Sequence, residues 1–256
     1  MPPRTSPSIA HETPPNTFTT GLVYLSNPAV DVLPLKGGRM ANVATKKLIL
    51  VPAVITLAVS LLRLLGELNH WSTRLFNPAP GGGGAIVGIA WLVLVFGIYF
   101  ALKLAAAGER PSGVGPAIGY PLLGFALVPA AGFAARALGA PPASPPLFGV
   151  VVVTSIVGAF VAFRGWPALG RTLLAYALAA RIPVAVIMLF AILGNWGTHY
   201  DVAPPDLATM GPIPKWLLIG VVPQLTFWIW FTMAVGALFG GIAVAIRGRA
   251  VRPATA

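Results

Sequence analysis

Five polar side chains repeat at helical spacing in the first strongly apolar segment of the chain. They are Thr56, Ser60, Arg63, Glu67 and His70. Neighbours in this set lie three or four residues apart, so on an α-helix all five share one face. Because polar groups that face lipid are costly, the stripe predicts a helix face turned toward a bundle interior or a ligand-binding, water-filled cavity. The alternative is structural: the hydroxyls bond back to their own helix, and the charged groups reach the membrane interface.

The outer end of this stripe has the residue types of a divalent metal site. Glu67 and His70 have the Glu-x-x-His spacing with which metal-binding helical bundles present a carboxylate and an imidazole together. His199 and Asp201 would add two ligands if their segment lies beside the first helix. These four residues predict a site for zinc or another divalent ion, and the sequence indicates no other cofactor. Without a metal, the same imidazole and carboxylate groups could carry out acid–base chemistry.

Arg181 predicts an anion site within the membrane. The helix from residue 182 to Trp196 rises only about 22 Å, which places Arg181 inside the opposite leaflet from the metal candidates. Its own helix offers no nearby acidic residue, so Arg181 either extends to the interface or pairs with an anionic ligand or lipid headgroup. Since Arg63 belongs to the other leaflet, we expect that one ligand does not contact both arginines in a single state.

The composition requires that a membrane surround the elements that carry these groups. Apolar residues make up 57% of the chain and charged residues 9%, whereas soluble domains carry roughly 25% charged residues. This excludes a soluble enzyme, a disordered chain and a disulfide scaffold, and the lack of cysteine excludes thiolate catalysis. The net charge of +11 is spread over many loops instead of forming a stripe, so we expect no nucleic-acid partner.

Six apolar stretches are long enough for membrane-spanning helices, which need about 20 residues each. They cover residues 48–66, 85–106, 117–138, 147–163, 172–195 and 216–246. The sequence thus predicts an all-α integral membrane protein, with a six-helix transmembrane domain over residues 40–256. Pro223 and Gln224 fall inside the last stretch, where they predict either a kink with a ligand-binding amide or a packed bend.

Basic residues are unequally divided between the two ends of these six stretches. One side holds Lys46, Lys47, Lys103, Arg110, Arg164, Arg171, Arg247, Arg249 and Arg252, and the other holds Arg74, Arg136 and Lys215. By the positive-inside rule, both termini then lie in the cytoplasm. We expect the location to be a bacterial cytoplasmic (inner) membrane.

Residues 1–39 are rich in proline, threonine and serine and have no sustained hydrophobic period. They predict either a disordered tail or a leader that precedes a native start at Met40. That second interpretation rests on the start-like run from Met40 and on Lys36, Gly37 and Gly38, whose codons can form a purine-rich ribosome-binding sequence.

A short internal similarity indicates a parallel repeat of the first two and the last two helices. Residues 69–74 read NHWSTR and residues 194–199 read GNWGTH, and a proline-containing loop follows each. The alternative is that both places simply need an interfacial tryptophan and a turn.

Three functions remain open from the sequence. The first is binding and transport of a small solute or anion through a polar intramembrane cavity, with Thr56, Ser60, Arg63, Arg181 and Gln224 as ligand-binding candidates. The second is a structural or accessory subunit of a larger membrane complex, and the third is a membrane enzyme with the outward-facing His/carboxylate site. The expected partners are membrane lipid and either a second copy of the chain or a larger membrane complex.

Overall fold

Long apolar runs in lipid satisfy all their backbone N–H and C=O groups within one segment only as α-helices. The computed structural model describes residues 37–82, 84–142 and 144–250, and within these ranges it is helical with no β-strand. The helices are α1 (Gly37–Leu68), α2 (Leu92–Ala106), α3 (Val114–Ala137), α4 (Pro145–Gly165), α5 (Pro167–Gly194), α6 (Pro212–Lys215), α7 (Val222–Leu225) and α8 (Phe227–Ala250). Five segments are long and apolar enough to cross a membrane: Thr45–Leu68, Val114–Ala137, Pro145–Gly165, Pro167–Gly194 and Pro212–Gly248. The all-helical membrane architecture predicted from hydropathy is therefore supported.

The stretch predicted as the second span, residues 85–106, is helical only from Leu92 onward. Helix α2 has 15 residues, which rise about 22 Å against a hydrocarbon core of about 30 Å. Residues 84–91 form turns, and a short 3₁₀ turn, Pro80–Gly82, precedes them. Gly82 has a φ of 82°, and a Cβ there would lie 2.7 Å from Nη2 of Arg63. The glycines thus allow the chain to turn closely over Arg63, and the prediction of six full helical spans is not confirmed.

The last apolar stretch is interrupted more strongly than a single proline kink would require. A π-helical turn, Trp216–Val221, separates α6 from α7, and Thr226 leaves the helical conformation at φ −120° and ψ −75°. Pro223 lies in α7 between these two irregularities and has no N–H to donate to the preceding turn. The predicted interruption is present, and it turns one side of α7 toward the interior.

Helix α8 is the central element of the bundle and packs against α2, α3, α4 and α5. Its contact with α2 is close because glycines face each other. A Cβ on Gly97 would collide with the backbone of Gly236. Around this contact lies a core in which Phe96, Phe100 and Tyr176 meet edge to face.

Helices α1 and α5 lie side by side and end in the same way. His70 and Asn195, which align in the proposed repeat, both adopt the left-handed conformation, with φ of 51° and 48°. In each case the following tryptophan, Trp71 or Trp196, donates its backbone N–H to the carbonyl oxygen five residues earlier. This bond is part of a common C-terminal helix cap, and it directs both chains into the loops at one end of the bundle.

Most of the predicted tail, residues 1–36, lies outside the described residues, while residues 37–39 belong to α1. The interpretations of residues 1–39 as tail or leader therefore stay predictions.

Candidate functional site

A cavity of about 800 Å³ opens between α1, α5, α7 and the loops that follow α1 and α5. Its polar side chains come from four separate segments, and the rest of its lining is mainly apolar. The polar members are Ser60, Arg63, Arg181, His199, Tyr200 and Gln224. A space of this size takes a ligand well beyond a single inorganic ion.

Arg181 is buried in this cavity without a counter-ion. Only 3% of the residue is exposed, and in the described part of the chain its guanidinium forms neither a hydrogen bond nor an ion pair. Its central carbon lies 4.5 Å from the centroid of the Trp228 ring. Stacking on an aromatic face attracts the cation but leaves the N–H groups at the guanidinium edge without acceptors. The edge of Arg181 is therefore ready to bind an oxyanion.

Arg63 and Arg181 line the same cavity, and the expectation that one ligand does not contact both in a single state stays a prediction. Helical rise places Arg63 about 8 Å and Arg181 about 20 Å from the capped ends of their helices. Because the cavity extends along the helices, residues at different depths reach the same space. The prediction from the sequence used only the depth of each arginine along its helix and did not include the cavity.

Arg63 is neutralised locally, in contrast to Arg181. Its Nε donates to Oε1 of Glu67 at 2.8 Å, and the Glu67 side chain is fully buried. Its Nη2 donates to the carbonyl oxygens of Asn77 and Gly82 at 3.2 and 2.9 Å. The pair thus holds the glycine-rich turn over the cavity.

Glu67 also binds His199, which follows α5. Oε2 of Glu67 accepts the backbone N–H of His199 at 2.8 Å, and the ring Nδ1 lies 2.7 and 2.8 Å from the two carboxylate oxygens. Burial lowers the pKa of His199 below its ordinary range, and Arg63 acts in the same direction, while the bond to Glu67 opposes them. The contact of Nδ1 with the carboxylate fixes the orientation of the imidazole ring beside Glu67.

The four residues predicted to bind a metal are not brought together. Glu67 and His199 are in contact, but the carboxylate of Asp201 accepts from the backbone N–H and the hydroxyl of Thr198, both at 2.7 Å. His70 is an exposed cap residue. Among the described residues, no group of three or more His, Cys, Asp or Glu side chains is placed to hold a metal ion. The predicted metal site fails because Asp201 folds its own loop and His70 terminates α1.

Thr56 and Ser60, the first two residues of the polar stripe, form hydrogen bonds to other segments of the chain. The Thr56 hydroxyl donates to the Pro52 carbonyl oxygen at 2.8 Å and accepts from the Tyr176 hydroxyl at 2.7 Å. Ser60 donates to the Thr56 carbonyl oxygen at 2.9 Å, and the Ser60 carbonyl oxygen accepts from the Tyr200 hydroxyl at the same distance. Thr56 therefore contributes to the contact between α1 and α5, while Ser60 reaches the cavity wall.

Gln224 supplies a second unsatisfied group. Its Oε1 is buried and has no hydrogen-bond partner in the described part of the chain, and its Nε2 lies 3.8 Å from Sδ of Met188. The turn that carries Gln224 lies between the π-helical segment and the break at Thr226, which explains why an amide side chain enters the cavity.

Sequence reasoning missed two features of the site. One is Trp228, which lies four residues after Gln224, and the other is the glycine-rich turn near residue 82. Among the described residues, the lining combines one uncompensated cation with an amide and an apolar wall. No protein-family model, curated protein or solved structure matches the chain.

Proposed function

We propose that this membrane protein binds an anionic solute in the cavity and carries it across the membrane. The observation that carries the proposal is the burial of Arg181 without a hydrogen bond or ion pair from the described residues. A guanidinium stays protonated, and a buried charge without a partner is strongly unfavourable. An anionic ligand removes this cost because it supplies the missing acceptors.

The charge of the cavity favours an anion with a single negative charge. Glu67 already balances Arg63 at a distance of 2.8 Å, so Arg181 is left as the uncompensated cation of the described lining. Gln224 adds an amide that can donate to the same ligand through Nε2. Carboxylates, sulfonates and phosphodiesters have the required charge and geometry.

The interrupted helices support transport in addition to binding. Helices broken near the centre of the membrane expose backbone groups to a site and give separate halves that can move. Here α7 is bounded by a π-helical turn and a break, and it carries both Pro223 and Gln224 into the cavity wall. The turn held by Arg63 covers the other side.

We further propose six membrane crossings, with both termini on the cytoplasmic side of a bacterial inner membrane. In this arrangement α2 and the turns of residues 84–91 together complete the second crossing, which is allowed because irregular backbone inside a membrane can line a cavity. The division of basic residues between the loops supports this orientation. Membrane lipid is the expected partner, and a second copy of the chain would supply a symmetric pair of cavities.

We also propose that α1–α2 and α5–α8 are parallel repeats. The matching caps at His70 and Asn195 support this, since left-handed residues other than glycine are uncommon. In both halves a complete helix is followed by a loop and then by a shortened or broken helix.

Uptake into proteoliposomes tests the transport function. The probes are radiolabelled alkanesulfonates of about two to eight carbons, which stay ionised and hardly cross lipid unaided. We expect the wild-type protein to import at least one probe, and Arg181→Gln to lower that uptake about tenfold or more. Arg171→Gln, at an exposed position of the same helix, is the matched control and should transport like the wild type.

The two arginine variants must elute as the wild-type species before their uptake is compared. Uptake no greater than in empty liposomes, or equal uptake by Arg181→Gln and the wild type, would refute the proposal.

A further inference from the structure

We infer that the ligand is an amphiphile, whose single-charge oxyanion head binds Arg181 and whose hydrocarbon tail reaches the surrounding lipid between α2 and α4. The inference rests on the proposed function and names its ligand class.

The polar groups of the cavity occupy only part of its wall. They lie on α1, α5, α7 and the loop after α5, whereas the first two turns of α4 contribute Leu147, Phe148 and Val151. Val184 and Met188 extend the apolar surface along α5 beside Arg181. An inorganic anion bound at Arg181 would leave this surface in contact with water, whereas a hydrocarbon tail would cover it.

Two residues of the cavity lining are also exposed on the surface of the bundle. Trp91, just before α2, and Phe148, in the first turn of α4, both line the cavity, and they are 52% and 37% exposed. Helices α2 and α4 each pack against α8, and residues at the start of both line the cavity. In a membrane, exposed apolar side chains of spanning helices face lipid. A tail can therefore remain in lipid while the charged head occupies the cavity.

This arrangement also fits the position of the two arginines. Arg63 lies near the capped end of α1, and Arg181 lies about 12 Å deeper by helical rise. A head that moves between these depths keeps its tail in the membrane throughout. The shared chemistry of the ligand is an oxyanion with an alkyl or acyl chain, and either a phospholipid or a single-chain acid provides it.

Binding of ethanesulfonate and octanesulfonate to the full chain in phosphatidylcholine nanodiscs tests the inference. Tryptophan fluorescence reports binding because Trp91 and Trp228 line the cavity. Each methylene removed from water is worth about fourfold in affinity, so burial of little more than half of the six additional methylenes makes octanesulfonate bind about 100-fold more tightly than ethanesulfonate. Arg181→Gln should abolish the saturable part of the signal and leave only partition into lipid.

A cavity-filling variant tests the path of the tail separately from the head. Val151 lines the cavity, while Val153 on the same helix is 59% exposed. We expect Val151→Trp to weaken octanesulfonate binding about tenfold or more and to leave ethanesulfonate binding unchanged. Val153→Trp, the matched control, should alter neither. If Val151→Trp does not fold, the ratio of the wild-type affinities for octanesulfonate and ethanesulfonate still shows whether the hydrocarbon tail contributes to binding.

The outcomes separate this inference from the proposed function. Equal affinity for ethanesulfonate, inorganic phosphate and octanesulfonate would overturn the amphiphile while keeping the anion site. Loss of Arg181-dependent binding for every probe would overturn both. Competition by dihexanoylphosphatidylglycerol identifies a phospholipid as the source of the ligand chemistry, and binding of octanesulfonate without such competition identifies a single-chain acid.

Discussion

Arg181→Met should make the ligand-free protein more stable, since Arg181 is buried without a counter-ion among the described residues. Most substitutions in a protein core lower stability, so an increase in stability would be a strong test of this reasoning. The residue is 3% exposed, and its guanidinium has no hydrogen-bond or ion-pair partner among the described residues. Stability would be given up here for binding, as at other ligand sites.

The magnitude follows from three contributions. The desolvated guanidinium costs several kcal/mol, and its contact with the Trp228 ring at 4.5 Å returns about 2 kcal/mol. Methionine removes the charge and replaces this contact with a sulfur–aromatic contact worth about 1 kcal/mol. The expected net stabilisation is about 1–3 kcal/mol, which corresponds to a rise in Tm of about 3–10 °C for a chain of this size.

Differential scanning fluorimetry in a mild neutral detergent measures the change. Arg171→Met, at an exposed position of α5, is the matched control and should shift Tm by no more than about 2 °C. Octanesulfonate should raise the Tm of the wild type and leave that of Arg181→Met unchanged, because only a protein that binds the ligand is stabilised by it. A lower Tm for Arg181→Met than for the control would show that Arg181 is a structural contact and would refute the reasoning.

Three further predictions concern the elements around the cavity. Glu67→Gln breaks an ion pair whose carboxylate is fully buried and should lower stability by about 3 kcal/mol. Glu109→Gln, in an exposed loop, should change little, and equal Tm values for the two variants would contradict this. Gly97→Ala places a methyl group against the backbone of α8 and should lower the free energy of unfolding by about 2 kcal/mol. Gly132→Ala has open space around its Cβ and should raise the free energy of unfolding by up to about 1 kcal/mol. Thermal unfolding measures both changes. The pKa of His199 is lower in the folded protein than in the unfolded chain, so the unfolded chain binds more protons near the ordinary pKa of about 6.5. The contribution of His199 to stability is therefore present above that pH and is lost as the pH falls. His199→Asn should flatten this part of the plot of Tm against pH.

The long helices could be predicted from the sequence because, in lipid, both an apolar composition and the need to pair every backbone N–H and C=O group favour an α-helix. The stretch predicted at 117–138 is observed as Val114–Ala137, and that at 147–163 as Pro145–Gly165. The stretch at 85–106 is helical only from Leu92, because its first seven residues are apolar without being helical. Hydropathy cannot register that the backbone N–H groups of Ile86 and Val87 donate to the carbonyl oxygens of Arg74 and Leu75 instead of continuing a helix ladder.

Periodicity predicted part of the site, and long-range pairing determined the rest. The helical spacing of the stripe indicated that Ser60, Arg63 and Glu67 share a face, and the structure places all three toward α5 or the cavity. The contact of Glu67 with His199 joins positions 132 residues apart, and no local pattern encodes it. The same limit applies to Arg181, whose isolation on its own helix was visible but whose neighbour Trp228 was not.

The two cavity arginines differ in whether a carboxylate pairs with them, because the desolvation cost of an acidic side chain differs between the two positions. Glu67 follows Arg63 by one helical turn near a loop, so the ion pair can also take the backbone N–H of His199 and hold two segments together. A carboxylate one turn from Arg181 on the same helix would take the place of Val184 or Ala185, both of which are buried. An acid there would also neutralise the charge that the proposed ligand is to use. Arg63 therefore supports the rim of the cavity, while Arg181 keeps a positive charge at the depth where we propose that an anion binds.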